Sequence, residues 1–154
     1  MPGFELIGKE EHEELNHLMT NSSILFRHGF DGLRNGIYKV REFEKAFAEK
    51  METENALAVT SGTAALLVAL KAFGIGRGDE VITQAFTFVA TVEAIVESGA
   101  VPVIAEVDKS LNISPNEIEE LITPSTKAII VVHMLGIPVD MDKVNNIAKK
   151  HNLF

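Results

Sequence analysis

From residue 56 onward, short apolar runs alternate with longer segments in which apolar residues recur at helical steps. The runs at 56–59, 80–83, 101–106 and 127–132 predict buried strands. The segments at 64–73, 89–98 and 115–122 between them, and 141–151 after the last, predict helices. Strands separated by helices of this length pair in parallel through right-handed crossovers, so this part of the chain predicts a layered α/β domain. Two helix starts carry their own signals. Ser114-Pro115-Asn116-Glu117 reads as a capping box with proline at the first helical position, and Asp140 stands where the last helix needs a cap.

Before residue 56 the pattern is different. Residues 1–8 form a lead-in with Phe4, Leu6 and Ile7 able to pack, and 10–20 predict a helix with an acidic first turn and a modest stripe of Leu15, Leu18 and Met19. His12 and His17, five apart on that helix, do not share a face and read as solvated residues rather than as a metal pair. Residues 40–51 are amphipathic, with Val40, Phe43, Phe47 and Met51 at three- and four-residue steps. Between these helices, 21–38 loses periodicity: Gly29, Gly32 and Gly36 are interleaved with Phe26, Arg27, His28, Phe30, Arg34 and Tyr38. Such a segment either reaches into a site or is a plain surface loop. The division expected is an N-terminal helix and loop over 1–38 and the α/β domain over 39–154.

Two further stretches shape the picture. Gly74-Ile75-Gly76-Arg77-Gly78-Asp79 follows a helix instead of a strand and lacks the G-x-G-x-x-G spacing, so it predicts a helix-to-strand turn and no dinucleotide site. Asn152-Leu153-Phe154 reads as the start of another buried strand, which predicts an unfinished sheet edge and a truncated domain.

Composition narrows the classes. At 154 residues and 46% hydrophobic content there is enough chain for one globular core, though not obviously for a whole enzyme. The absence of cysteine removes disulfides, thiolate catalysis and cysteine-ligated metals, and it fits a reducing compartment, with the cytoplasm as the expectation. A net charge of −8 without a basic patch argues against nucleic-acid binding. The opening residues lack the basic and apolar regions of a signal peptide, and no apolar run is long enough to span a bilayer, so no membrane partner is expected.

In a parallel sheet, ligands bind beyond the carboxyl ends of the strands, and the distinctive residues of this chain fall there. Thr60-Ser61-Gly62-Thr63 follows the first predicted strand, Gln84-Ala85-Phe86-Thr87-Phe88 the second, Glu106-Val107-Asp108 the third and His133-Met134-Leu135-Gly136 the fourth. The turn at Ser61-Gly62 opens a helix made of strong helix formers, so unpaired N–H groups at its positive end can cradle a phosphate; equally, Ser61 can be a plain N-cap. A ring could stack on Phe86 or Phe88, although aromatics at strand ends are commonly core. Glu106 and Asp108 can simply cap a turn, and a histidine alone after an apolar run, as His133 is, more often serves structure than catalysis. Together these residues suit a flat, phosphorylated cofactor.

The phrases FEKAFAEK (Phe43 to Lys50), SGTAAL (Ser61 to Leu66), GDEVIT (Gly78 to Thr83), TFVAT (Thr87 to Thr91), ITPSTKAI (Ile122 to Ile129) and VDMD (Val139 to Asp142) occur in one order over roughly three quarters of the chain. In that order and spacing they resemble the N-terminal half of the large domain of the DegT/DnrJ-type sugar aminotransferases, fold type I enzymes that use pyridoxal 5'-phosphate (PLP). MPGFELIG, FRHGFDGLRN and VHMLG further resemble the branch that aminates an octulosonate sugar (8-amino-Kdo type). The fold implied is a three-layer PLP-dependent transferase-like large domain, a mostly parallel sheet with flanking helices, here apparently truncated.

The resemblance implies that Gly62, Thr63 and Ala64, with Ser61, hold the PLP phosphate and that Phe88 stacks on the pyridine ring. His133 is grouped with these as cofactor-binding, and Arg34 and Tyr38 are expected on the substrate side. No catalytic residue is implied within the chain, because the family's pyridine-pairing Asp and Schiff-base Lys correspond to positions beyond Phe154. Lys71, Lys127 and Lys149 do not stand in a context like the catalytic one, Lys127 being at the wrong end of its strand. The activity implied is amino transfer from a donor, typically glutamate, to a keto or aldehyde sugar, within a homodimer in the whole enzyme, and the 154-residue chain alone is expected to be inactive. Two other readings stay open on the residues: a non-catalytic phosphate- or nucleotide-binding α/β module, and a structural half that dimerises with a full-length paralogue.

Overall fold

The computed structural model describes residues 3–154. They form two compact units, one reaching to Ala58 and one from Val59 to Phe154. The amphipathic helix expected with the α/β domain therefore falls in the first unit.

In the first unit, α1 (Lys9–Asn21) and α2 (Lys39–Lys50) flank the irregular segment, which contains a short 3₁₀ turn at Asp31–Leu33. Glu11 accepts a hydrogen bond from the Gly8 N–H at 2.7 Å, the half of a capping box that a glycine allows. The stripe expected on α1 buries no residue, and on α2 the buried side chains are Glu44 and Ala48, while Phe43, Phe47 and Met51 stand exposed. Glu44 is anchored twice: Arg27 grips its carboxylate with Nε and Nη2 at 3.0 and 2.9 Å, and the Ala58 N–H donates to it at 2.9 Å. That last bond explains one departure from the sequence reading. Residues 56–59 form no strand among the described residues; Leu57 and Val59 are exposed, and the Ala58 N–H that a ladder would need is bound to Glu44.

The second unit carries a three-stranded parallel sheet in the order β2-β1-β3, with β1 Glu80–Gln84, β2 Val101–Ala105 and β3 Thr126–Ile130. Helices α3 (Gly62–Ala72) and α4 (Val89–Ser98) cover one face, and α5 (Pro115–Leu121) and α6 (Met141–His151) the other. The alternation of a strand explains the division: Val81 joins the core with Leu70, Ala94 and Ile95, and its neighbour Ile82 joins the opposite core with Ile113, Ile118 and Val144. Both cores are aliphatic, so the sheet is apolar on both sides, as the continuous runs require.

The connections are tight where the chain reverses. The 74–79 stretch is the expected helix-to-strand turn, closed by Asp79 Oδ2 on the Gly76 N–H at 2.9 Å. Gly99 ends α4 at φ 95°, and a Cβ there would lie 3.3 Å from the Arg77 N, so both conformation and space call for glycine. Asp140 caps α6 through the Lys143 N–H at 3.2 Å as expected, but Ser114 makes no side-chain cap on α5. That helix starts on Pro115 and on the Glu117 N–H bonded to the Ser114 carbonyl. At the outer edge of β3, the Phe154 N–H donates to the Lys127 carbonyl and the Phe154 carbonyl accepts from the Ile129 N–H, both at 3.0 Å, while the Phe154 ring stacks on Phe73 at 4.4 Å.

Candidate functional site

The parallel strands bring their carboxyl ends to one edge of the sheet. α4 starts from the edge where β1 ends. α3 packs against α4 and runs into β1 at the opposite edge, and its 11 residues rise about as far as a five-residue strand extends, roughly 16 Å. The N-termini of α3 and α4 therefore stand together on the carboxyl rim.

At the start of α3, Ser61 is extended at φ −162° and its Oγ accepts from the Ala64 N–H at 3.1 Å. This is an N-cap, and it satisfies only one of the helix's free donors. The N–H groups of Gly62 and Thr63 have no hydrogen-bond partner among the described residues, nor has the Thr63 hydroxyl. A Cβ on Gly62 would meet nothing within 4 Å, so the space beside its Cα is open. Two unpartnered N–H groups, a free hydroxyl and the positive end of a helix form a donor set that matches a phosphate dianion. The cap and the cradle thus coexist in one turn.

Phe88 is the N-cap residue of α4 and is 75% exposed, while Phe86 is half in solvent. Below them Thr87 Oγ1 lies 2.8 Å from Thr91 Oγ1, which ties the turn to the first helical residues. Phe88 is not core, in contrast to the usual fate of an aromatic at a strand end.

Two other rim residues, Asp108 and His133, have structural partners. Asp108 accepts from the Ser110 N–H at 2.8 Å and from its hydroxyl at 2.5 Å, and these bonds hold the Asp108 carboxyl below the usual carboxylate range. It closes a turn, the blander of the two readings. His133 Nδ1 accepts from the Val139 N–H at 3.1 Å, which places the proton of the neutral ring on Nε2 and makes the imidazole a brace across its own loop.

Arg34 and Tyr38 belong to the first unit. Arg34 is 2% exposed and donates to the Gly29 carbonyl at 2.6 Å and to the Phe26 carbonyl, so its guanidinium folds the 26–34 loop around itself. Two of its five donors, one on Nε and one on Nη2, are thus spent on the loop itself. Tyr38 donates to Asp31 at 2.6 Å, a bond that pushes the phenol upward, and its ring carries the Arg34 and Arg41 guanidiniums at 5.1 and 4.5 Å.

Residues 17–154 match the DegT/DnrJ/EryC1/StrS aminotransferase family. The chain belongs to this family. The spore coat polysaccharide biosynthesis protein SpsC of Bacillus subtilis is 44% identical over 150 residues, which are 97% of this chain and 36% of SpsC. Among solved structures, an aminotransferase from Psychrobacter cryohalolentis superposes with a TM-score of 0.85 at 37% identity, covering 96% of this chain and 36% of that one. The PLP form of the putative sugar aminotransferase Spr1654 from Streptococcus pneumoniae superposes with a TM-score of 0.83 at 29% identity, over 96% of this chain and 36% of that one. This chain spans about a third of the length of these relatives.

For this member of the DegT/DnrJ/EryC1/StrS family, the sequence reading put Gln84 on the rim without a role and missed Asn112, and both are buried amides. Gln84 is fully buried at the end of β1, and Asn112 is buried after β2. Asn112 donates to the Ile137 carbonyl at 3.1 Å and accepts from the Met134 N–H at 2.9 Å, which fixes the loop after β3. For Gln84 the available signal was a carboxamide closing the strand Glu-Val-Ile-Thr-Gln beyond its apolar pair Val81-Ile82, where a buried polar group must have partners.

Proposed function

We propose that this chain supplies the phosphate and ring side of the cofactor site of a PLP-dependent sugar aminotransferase. The observation that carries the reading is the pair of unpartnered N–H groups at Gly62 and Thr63 and the exposed ring of Phe88, at the starts of two packed helices. Family membership supports it, as do the PLP form of the pneumococcal neighbour and the polysaccharide pathway of SpsC.

PLP would supply the electron-withdrawing ring that makes amino transfer possible. Gly62 and Thr63 would donate their N–H groups, and Thr63 its hydroxyl, to the phosphate. Phe88 would cover one face of the ring and keep water from it. Ser61 keeps the first turn of α3 formed, so that these donors point one way. The lysine that carries the reaction belongs to residues outside this sequence in this reading. Lys71 is bound to the Ser98 carbonyl at 2.7 Å, far from the rim, and Lys127 starts β3 at the opposite edge. The donor is glutamate and the acceptor a keto or aldehyde sugar destined for a cell-surface polysaccharide or lipopolysaccharide, with an octulosonate as the preferred acceptor. The working form is a cytoplasmic homodimer.

The test is an amino-transfer assay on the native protein that contains this chain, purified with bound PLP. Glutamate should be converted to 2-oxoglutarate only when a keto or aldehyde sugar is added. Conversion independent of the sugar, or none with any such sugar, would contradict the assignment.

A further inference from the structure

β1 is the central strand, so its last side chain is placed to reach the loops on both sides. Gln84 does so. Its Nε2 donates to the Phe86 carbonyl at 2.8 Å and to the Leu111 carbonyl at 3.4 Å, and its Oε1 accepts from the Val132 N–H at 3.3 Å. The partners fix the orientation of the amide, since two carbonyls face the nitrogen and an N–H faces the oxygen. They come from three different strand-end loops, after β1, β2 and β3 respectively. One of them is held at a conformational cost: Leu111 sits at φ 64°, in the left-handed region that branched side chains avoid, and in that conformation its carbonyl is within reach of Gln84.

We propose that Gln84 is a positioning residue for the cofactor ring: it locks the three rim loops to one another and thereby fixes where Phe88 stands. This rests on the function proposed above. Phe86, whose carbonyl takes the shorter bond, is two residues from Phe88, and Val132 is next to His133. No other side chain type does the same work. Glutamate has no donor for the two carbonyls, leucine or methionine fills the space without bonding, and asparagine is one methylene short. The phosphate donors on α3 make no bond to Gln84, so the amide governs the ring side of the site and leaves the phosphate side alone.

That division gives the test. The chain is titrated with PLP and, separately, with inorganic phosphate, following the backbone amides of Gly62–Ala64 and Ala85–Phe88 by NMR, for wild type and for Gln84→Met. The variant should weaken PLP binding about tenfold or more, the scale of losing a buried hydrogen bond and stranding its partners, and leave phosphate binding unchanged. A purely structural role predicts equal losses for both ligands, and either that result or no loss for PLP overturns the proposal.

Amide hydrogen exchange separates this proposal from the function on which it rests, because it needs no ligand. In wild type the Val132 amide, outside any strand, should be protected like the amides of β3, and in Gln84→Met exchange should rise in residues 85–88, 111 and 131–133 while β1, β2 and β3 stay protected. If Gln84→Met does not fold, the Val132 amide of the wild type still decides: fast exchange there means that the bond to Gln84 does not hold the loop, and the proposal fails. Absence of PLP binding by the native protein that contains this chain, with a protected Val132, would instead overturn the cofactor assignment.

Discussion

Ser61 performs two tasks that can be separated by substitution. Its Oγ caps α3 through the Ala64 N–H at 3.1 Å, and its position next to Gly62 and Thr63 puts it beside any bound phosphate. Ser61→Ala removes the cap, at a cost of about 1 kcal/mol. For a chain of this length that lowers the melting temperature by about 2–4 °C. Ser61→Asp keeps an acceptor at the cap and complements the helix dipole, so the melting temperature should stay at or slightly above the wild-type value.

The two variants part company on ligand binding. An aspartate at 61 places a carboxylate beside the phosphate dianion. Two unit charges about 4 Å apart repel by about 1 kcal/mol in water and about 4 kcal/mol near a protein surface. Ser61 is exposed, so the lower part of that range applies and PLP affinity should fall about tenfold. The assays are differential scanning calorimetry for stability and fluorescence titration with PLP for binding. If Ser61→Asp were stable and bound PLP as well as wild type, the anion would not sit at this helix terminus, and the phosphate assignment would be wrong.

Other substitutions probe the remaining parts of the structure. Phe88→Leu should leave the melting temperature within about 1–2 °C, because the ring is exposed and such changes cost under about 0.5 kcal/mol, yet it should weaken PLP binding in the same titration. Ile82→Ala removes a fully buried side chain from the core under α5 and α6 and should cost about 2–5 kcal/mol, read from urea denaturation. Glu44 tests the first unit by pH. The Ala58 N–H first, and the Arg27 guanidinium with it, hold the Glu44 carboxyl below its ordinary value. Its stabilisation is therefore complete above the unfolded carboxylate range and is lost as pH falls through the lowered folded value. Melting temperatures between pH 7 and about pH 3 should drop less steeply for Glu44→Gln than for wild type.

Much of the second unit was legible because its signals are local. Period and helix formers gave α4 and α6, and the apolar runs gave β1, β2 and β3 to within two residues. The run at 56–59 misled because apolar character alone cannot reveal a ladder partner, and there the backbone N–H of Ala58 bonds a carboxylate instead. The capped start of α3 was legible, since Ser-Gly-Thr ahead of helix formers reads as an N-cap at Ser61. The bracing bonds of Arg34 to Gly29 and of His133 to Val139 were not, because their backbone partners lie in loops without a period to read. The bonds of Gln84 and Asn112 escaped for the opposite reason: their partners are backbone atoms up to 48 residues away, which no local pattern encodes.

The most direct measurement is a titration of the 154-residue chain with PLP and, in parallel, with pyridoxal, which lacks the phosphate, following the backbone amides by NMR. If Gly62 and Thr63 hold the phosphate and Phe88 the ring, PLP should shift Gly62, Thr63 and the 86–88 amides together, and pyridoxal at the same concentration should leave Gly62 and Thr63 in place. Unmoved Gly62 and Thr63 amides at saturating PLP, or equal shifts with pyridoxal, would contradict the site.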